Sequence, residues 1–71
     1  MNDFNISFWV HYRRTTTNGQ TRLYIREFKT LERANEYART KANDPQNEQI
    51  KTYRHRERGG VTYVDFIKAN D

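Results

Sequence analysis

Nine side chains along this chain combine cationic and aromatic groups: Trp9, His11, Arg13, Arg22, Tyr24, Arg26, Arg54, Arg56 and Tyr63. A guanidinium forms planar, bidentate contacts with phosphate or carboxylate and stacks on rings. Aromatic rings set between cations stack on unpaired bases. Cations that neutralise phosphates release counterions, so binding weakens with salt. Held in one row on a sheet, these groups would meet an anionic, planar partner, and a sheet can also enter the major groove of a duplex. The expected chemistry is therefore nucleic-acid binding. Trp9 and Tyr24 would stack, with Tyr63 in support. Arg13, Arg22, Arg26, Arg54 and Arg56 would meet phosphates or base edges. The competing reading is a solvated sheet face whose arginine stems cover the rings, with Arg54 on Asp65 and Arg13 on Tyr24.

Other chemistry finds little support. The chain has no cysteine, so disulfides, thiolate metal sites and thiol catalysis are excluded. His11 and His55 do not have the spacing of a paired metal site, and no metal or cofactor is expected. Ser7 is the only serine and has no set relation to a His and an Asp. Glu32 and Glu36 read as a charged helix face supporting Arg39. Gly59-Gly60 reads as a turn, since no Gly-x-x-x-x-Gly-Lys pattern surrounds it. The expectation is a binding module, not an enzyme.

Two hairpins and a helix must position the nine residues. Residues 4–14 alternate: Phe4, Ile6, Phe8, Val10 and Tyr12 point one way; Asn5, Ser7, Trp9, His11 and Arg13 the other. Asn18-Gly19 at the tip of a two-residue turn pairs Thr17 with Gln20, Arg13 with Tyr24 and His11 with Arg26. Leu23 and Ile25 then join the Val10 face, and Arg22, Tyr24 and Arg26 join Trp9. Glu27 falls on the apolar face near the strand end, which predicts a bulge or fraying there. Thr30 predicts an N-cap for a helix from Leu31 to about Asn43, with an inner face of Leu31, Ala34, Ala38 and Ala42. Asn43-Asp44-Pro45-Gln46-Asn47 ends it. The second hairpin, Ile50 to Lys68 around Gly59-Gly60, pairs Arg58 with Val61, Arg56 with Tyr63, Arg54 with Asp65 and Tyr53 with Phe66. Its expected core face is Tyr53, His55, Val64 and Phe66.

The fold expected is α+β, ordered ββαββ: a four-stranded antiparallel sheet, order 2-1-3-4, with one helix on one face. The 71 residues make one small domain. Apolar content is only 34%, so the core must draw on four Phe, five Tyr and one Trp. The net charge of +4 is arginine-rich. The start, Met1-Asn2-Asp3-Phe4, lacks a basic region followed by an apolar run, and no stretch is long enough to span a bilayer. A cytoplasmic location without membrane contact is expected.

Trp9-x-x-Tyr12, Asn18-Gly19 and Phe28-x-Thr30-x-x-x-Ala34 resemble the arm-site DNA-binding domain at the N-terminus of phage-type tyrosine integrases. The resemblance covers about residues 8–42. It implies a small sheet, backed by a helix, entering the major groove with Arg13, Arg22, Tyr24 and Arg26 facing DNA. The chain departs in having Glu27 where that family usually has glycine, and 71 residues leave no room for the catalytic domain. The alternative is a protein-binding module, an inhibitor or adaptor of the kind small mobile genomes encode. It would meet an acidic protein surface as a monomer, or form a homodimer through sheet edges.

Overall fold

A computed structural model describes residues 4–70. The Met1–Asp3 start, read above for a leader, lies outside them. Strands β1 (Asn5–Thr15) and β2 (Thr21–Phe28) precede helix α1 (Leu31–Ala42). Strands β3 (Asn47–Arg58) and β4 (Val61–Asn70) follow. All pairings are antiparallel, in the order β2-β1-β3-β4, with the helix on one face. This is the α+β architecture expected from the alternation and the single helical segment.

Thr30 caps the helix as its type predicts, its Oγ1 accepting from the Arg33 amide at 3.3 Å. Glu32 lies in the first turn, and Arg39 and Lys41 in the last, where the helix dipole favours them. Ala34 and Ala38 are fully buried against Val10, Tyr12 and Ile50, and Phe8, Phe28 and Tyr37 close the rim. With methyl groups at the contact, the helix lies close on the sheet. Leu31 and Ala42 belong to the expected inner face but are exposed.

Arg14 ties the helix exit to the sheet. Its guanidinium donates to Asp44 Oδ2 at 2.7 Å, Asn47 Oδ1 at 2.9 Å and Gln46 Oε1 at 2.8 Å. Asn47 Nδ2 in turn donates to the Lys41 carbonyl at 3.0 Å, satisfying a group at the helix end.

Two expectations about side-chain facing are corrected. First, β1 and β2 are joined by residues 16–20, a loop of five residues. Thr15 pairs with Thr21, Arg13 with Leu23 and His11 with Ile25. The Thr16 amide donates to the Gln20 carbonyl at 2.7 Å and Gly19 takes a φ of 84°. This register differs by one residue from a two-residue turn, and one residue moves every β2 side chain to the other face. Tyr24 and Phe28 thereby reach the helix side, where Tyr24 stacks on Tyr12 at 5.3 Å and Phe28 meets Tyr37 at 5.1 Å. Leu23 and Ile25 turn outward. No bulge interrupts β2 at Glu27. The shifts lie between His11 and Arg13 in the β1–β3 pairing, near Gln49 at φ 53°, and between Thr52 and Tyr53 in the β3–β4 pairing.

Second, the β3–β4 register is as expected from Arg58–Val61 to Tyr53–Phe66, and Gly59 and Gly60 at φ 59° and 79° form the tight turn. The core side is the reverse of the expected one. Thr52 is fully buried under the helix, whereas Val64 and Phe66 face outward with Tyr53 and His55. Ile50 and Thr52 face the alanine stripe, and that contact decides which side is inside.

Candidate binding surfaces

The register divides the nine expected site residues between two faces. Trp9, His11 and Arg13 lie on the open face of the sheet. Arg22, Tyr24, Arg26, Arg54, Arg56 and Tyr63 share the helix-bearing side with Val10 and Tyr12. The single row expected on the open face does not exist, because the β2 register and the inside face of the second hairpin both differ.

The helix-bearing side gathers the positive charge. From the strands come Arg14, Arg22, Arg26, Arg54, Arg56, Arg58 and Lys68; from the helix come Arg33, Arg39 and Lys41. Against these, among the described residues, stand Glu32, Glu36, Asp44 and Asp65. The open face holds Arg13, Lys29 and Lys51 against Glu27, Glu48 and Glu57. Eight of the nine arginines therefore lie on one side of a thin molecule.

Aromatic rings interleave those cations. The Arg26 guanidinium lies 5.5 Å from the Tyr37 ring centre and 5.9 Å from that of Phe28. Lys41 Nζ sits 5.1 Å from Tyr37 and 5.7 Å from Tyr12. A groove of 280 Å³ between α1 and β2 is lined by Phe28, Arg33, Glu36, Tyr37, Thr40 and Lys41. At the other end of this side, beyond the helix, Arg56 lies over Phe4 and Tyr63 at 5.6 and 5.8 Å, and Arg58 over Phe4 at 5.5 Å. Such contacts hold guanidinium planes flat while leaving their edges free to donate.

Asp65 offsets part of this charge. Arg54 Nη2 donates to its Oδ2 at 3.1 Å, and Arg56 Nε stands 3.1 Å from the same atom as an ion pair, without hydrogen-bond alignment. The hydrogen bond from Arg54, with the charge of Arg56, holds the Asp65 carboxyl below its ordinary range. Two arginines on one carboxylate leave a net cation. The Arg54–Asp65 pair was legible in the sequence; the second arginine was not.

Burial and the hydroxyl of Tyr37, 3.3 Å away, push the Tyr12 phenol up to about 12. It stays neutral beneath the cations. Tyr37, Lys41, Arg33 and Arg58 were absent from the expected site. Arg58 continues the Arg54-Arg56 alternation and could have been read from it. Tyr37 and Lys41, four apart on the helix, had a signal only once the helix was known to flank β2.

The open face is aromatic and apolar. Trp9 stacks on His55 at 4.6 Å, His11 lies against Tyr53 at 4.7 Å, and Phe66 meets Tyr53 edge-on at 5.7 Å. Trp9 Nε1 donates to Ser7 Oγ at 2.8 Å. Burial, and then the nearby His55, lower the His11 pKa. Leu23, Ile25 and Val64 complete the face. A recess of 380 Å³ at one end is lined by residues including Ser7, Trp9, Glu27, Lys29, His55 and Glu57.

Among the described residues, no helix is long and apolar enough to cross a membrane. No family model, curated protein or solved structure matches this chain.

Proposed function

We propose that this chain is a non-enzymatic module that binds nucleic acid through the helix-bearing side of its sheet. The segregation of charge carries the reading: eight arginines lie on that side, and on the opposite face the described acids and bases balance. A polyanion is drawn to such a surface and binds by counterion release. Tyr24 and Tyr63 are exposed beside the arginines and offer ring faces to bases. The mode implied by the integrase resemblance, an open sheet face in the major groove, fits this charge distribution poorly. Arg13 lies on the opposite face from Arg22, Tyr24 and Arg26.

Fluorescence anisotropy with a labelled random-sequence duplex and a single strand, at low and moderate salt, tests the proposal. Arg22 and Arg26 are exposed, so the double change to Ala should leave the fold intact. It should weaken binding at least tenfold and reduce the salt slope by about two. Arg13→Ala, on the other face, should leave the affinity unchanged. Loss of affinity from Arg13→Ala alone would assign binding to the open face. Absence of binding to either nucleic acid would reject the proposal in favour of an acidic protein surface.

A further inference from the structure

We infer that the open sheet face is the interface of a homodimer, covered by a second copy of this chain packed face to face. The inference does not depend on nucleic-acid binding. Leu23 and Ile25 at one edge are 51% and 50% exposed, and Val64 and Phe66 at the other are 55% and 57% exposed. Trp9 and Tyr53 join them into one patch across all four strands. Isolated small domains rarely leave an apolar surface this continuous in water. Among the described residues the buried apolar core is Val10, Tyr12, Ala34, Ala38 and Ile50, little for a chain of this length.

Size and charge both point to a second copy as the occupant. The molecule extends 49 by 22 Å in its two long directions. Its broad face is therefore about 1,000 Å² in plan, against about 800 Å² per partner in a stable complex. Charge fixes the orientation. At one end of the face stand Arg13 and Lys51, with Glu48 across from Arg13. Toward the other stand Lys29 and Glu57, with Glu27 beside Trp9 near the middle. On β3, Lys51 and Glu57 stand three residues either side of Arg54; on β2, Glu27 and Lys29 stand one residue either side of Phe28; Arg54 and Phe28 both pair with Phe8. A two-fold axis lying across the strands, level with Phe28, Phe8 and Arg54, places Lys51 of one copy over Glu57 of the other and Glu27 over Lys29. An axis along the strands would instead set Lys51 over His11, Glu57 over Asn5 and Glu27 over Phe66, leaving those charges without partners. The face is thus complementary to itself in one orientation, as an isologous interface requires. Two twisted sheets would then pack about 10 Å apart with strands about 30° from alignment.

Sedimentation equilibrium over micromolar to submillimolar concentrations reads the outcome. The expected mass is twice the 8.6 kDa of the chain. Ile25→Glu and Phe66→Glu lie at opposite edges of the patch, and each should return the mass to one chain while the far-ultraviolet spectrum is kept. Lys51→Glu and Glu57→Lys should each weaken association about tenfold, and the two together should restore it. A single-chain mass for the wild type throughout the range would overturn the inference. So would a dimer that survives both Ile25→Glu and Phe66→Glu, since that dimer would be joined at its strand edges.

Discussion

Thr52 has no exposed surface, and its hydroxyl has no hydrogen-bond partner. A buried hydroxyl without a partner loses its hydration and gains nothing. Thr52→Val keeps the β-branched shape, removes the orphan oxygen and should stabilise the fold by about 1 kcal/mol in urea denaturation. The acids argue in the same terms. Hydrogen bonds from Arg14 and from Arg54 hold Asp44 and Asp65 below the ordinary value of 3.8. The unfolded chain therefore binds their protons first, and the stability they contribute is present above about pH 4–5 and lost in stronger acid. His11 is lowered from 6.5. As pH falls past that value the unfolded chain protonates first, so stability should begin to decline there. Melting temperature against pH should show both stages, with His11→Gln removing the upper one and Asp65→Asn blunting the lower. A melting temperature that rises on acidification from pH 7 to 6 would contradict this.

The elements differ in how plainly residues announce them. Thr30 and the alanines at 34 and 38 named the helix and its inner face. Thr30→Ala should cost about 1 kcal/mol, read from the midpoint of urea unfolding. Gly60 at φ 79° has open space around its missing Cβ, so Gly60→Ala meets only backbone strain, again about 1 kcal/mol. Strand order and the Arg58–Val61 register were legible because two consecutive glycines leave one tight turn. The facing of β2 was not legible. Thr15 to Gln20 contains several residues suited to turns, and Asn18-Gly19 fits a two-residue loop as well as part of a five-residue one. Tyr12 against Tyr24 and Phe28 against Tyr37 decide between them, and those contacts are tertiary. The second hairpin was ambiguous for a related reason. Tyr53, His55, Val64 and Phe66 look more apolar than a row holding Thr52 and three arginines, yet the helix covers only the Thr52 end of that row. The other end reaches past the helix into solvent, where arginine belongs.

At the scale of the whole molecule, the sheet separates a cationic layer from an aromatic one. Paired through their open faces, two copies would turn both arginine-bearing sides outward, and each dimer would present two surfaces to a polyanion. The segment leaving the helix is tied to β1 through the Arg14 side chain. Arg14 reaches Asp44, Gln46 and Asn47 together. Arg14→Ala should lower the melting temperature, and Arg14→Lys should restore little of it, since an ammonium lacks the planar fork that reaches all three. The loop at 16–20 also contains Asn18-Gly19, which alone suits a two-residue turn. Closed there, with Arg13 opposite Tyr24, the hairpin would rotate β2 by one position, carrying Leu23 and Ile25 under the helix and Arg22, Tyr24 and Arg26 beside Trp9. The same residues would in that way exchange an apolar open face for a basic one, so the charge on each side of the sheet hangs on how one short loop closes.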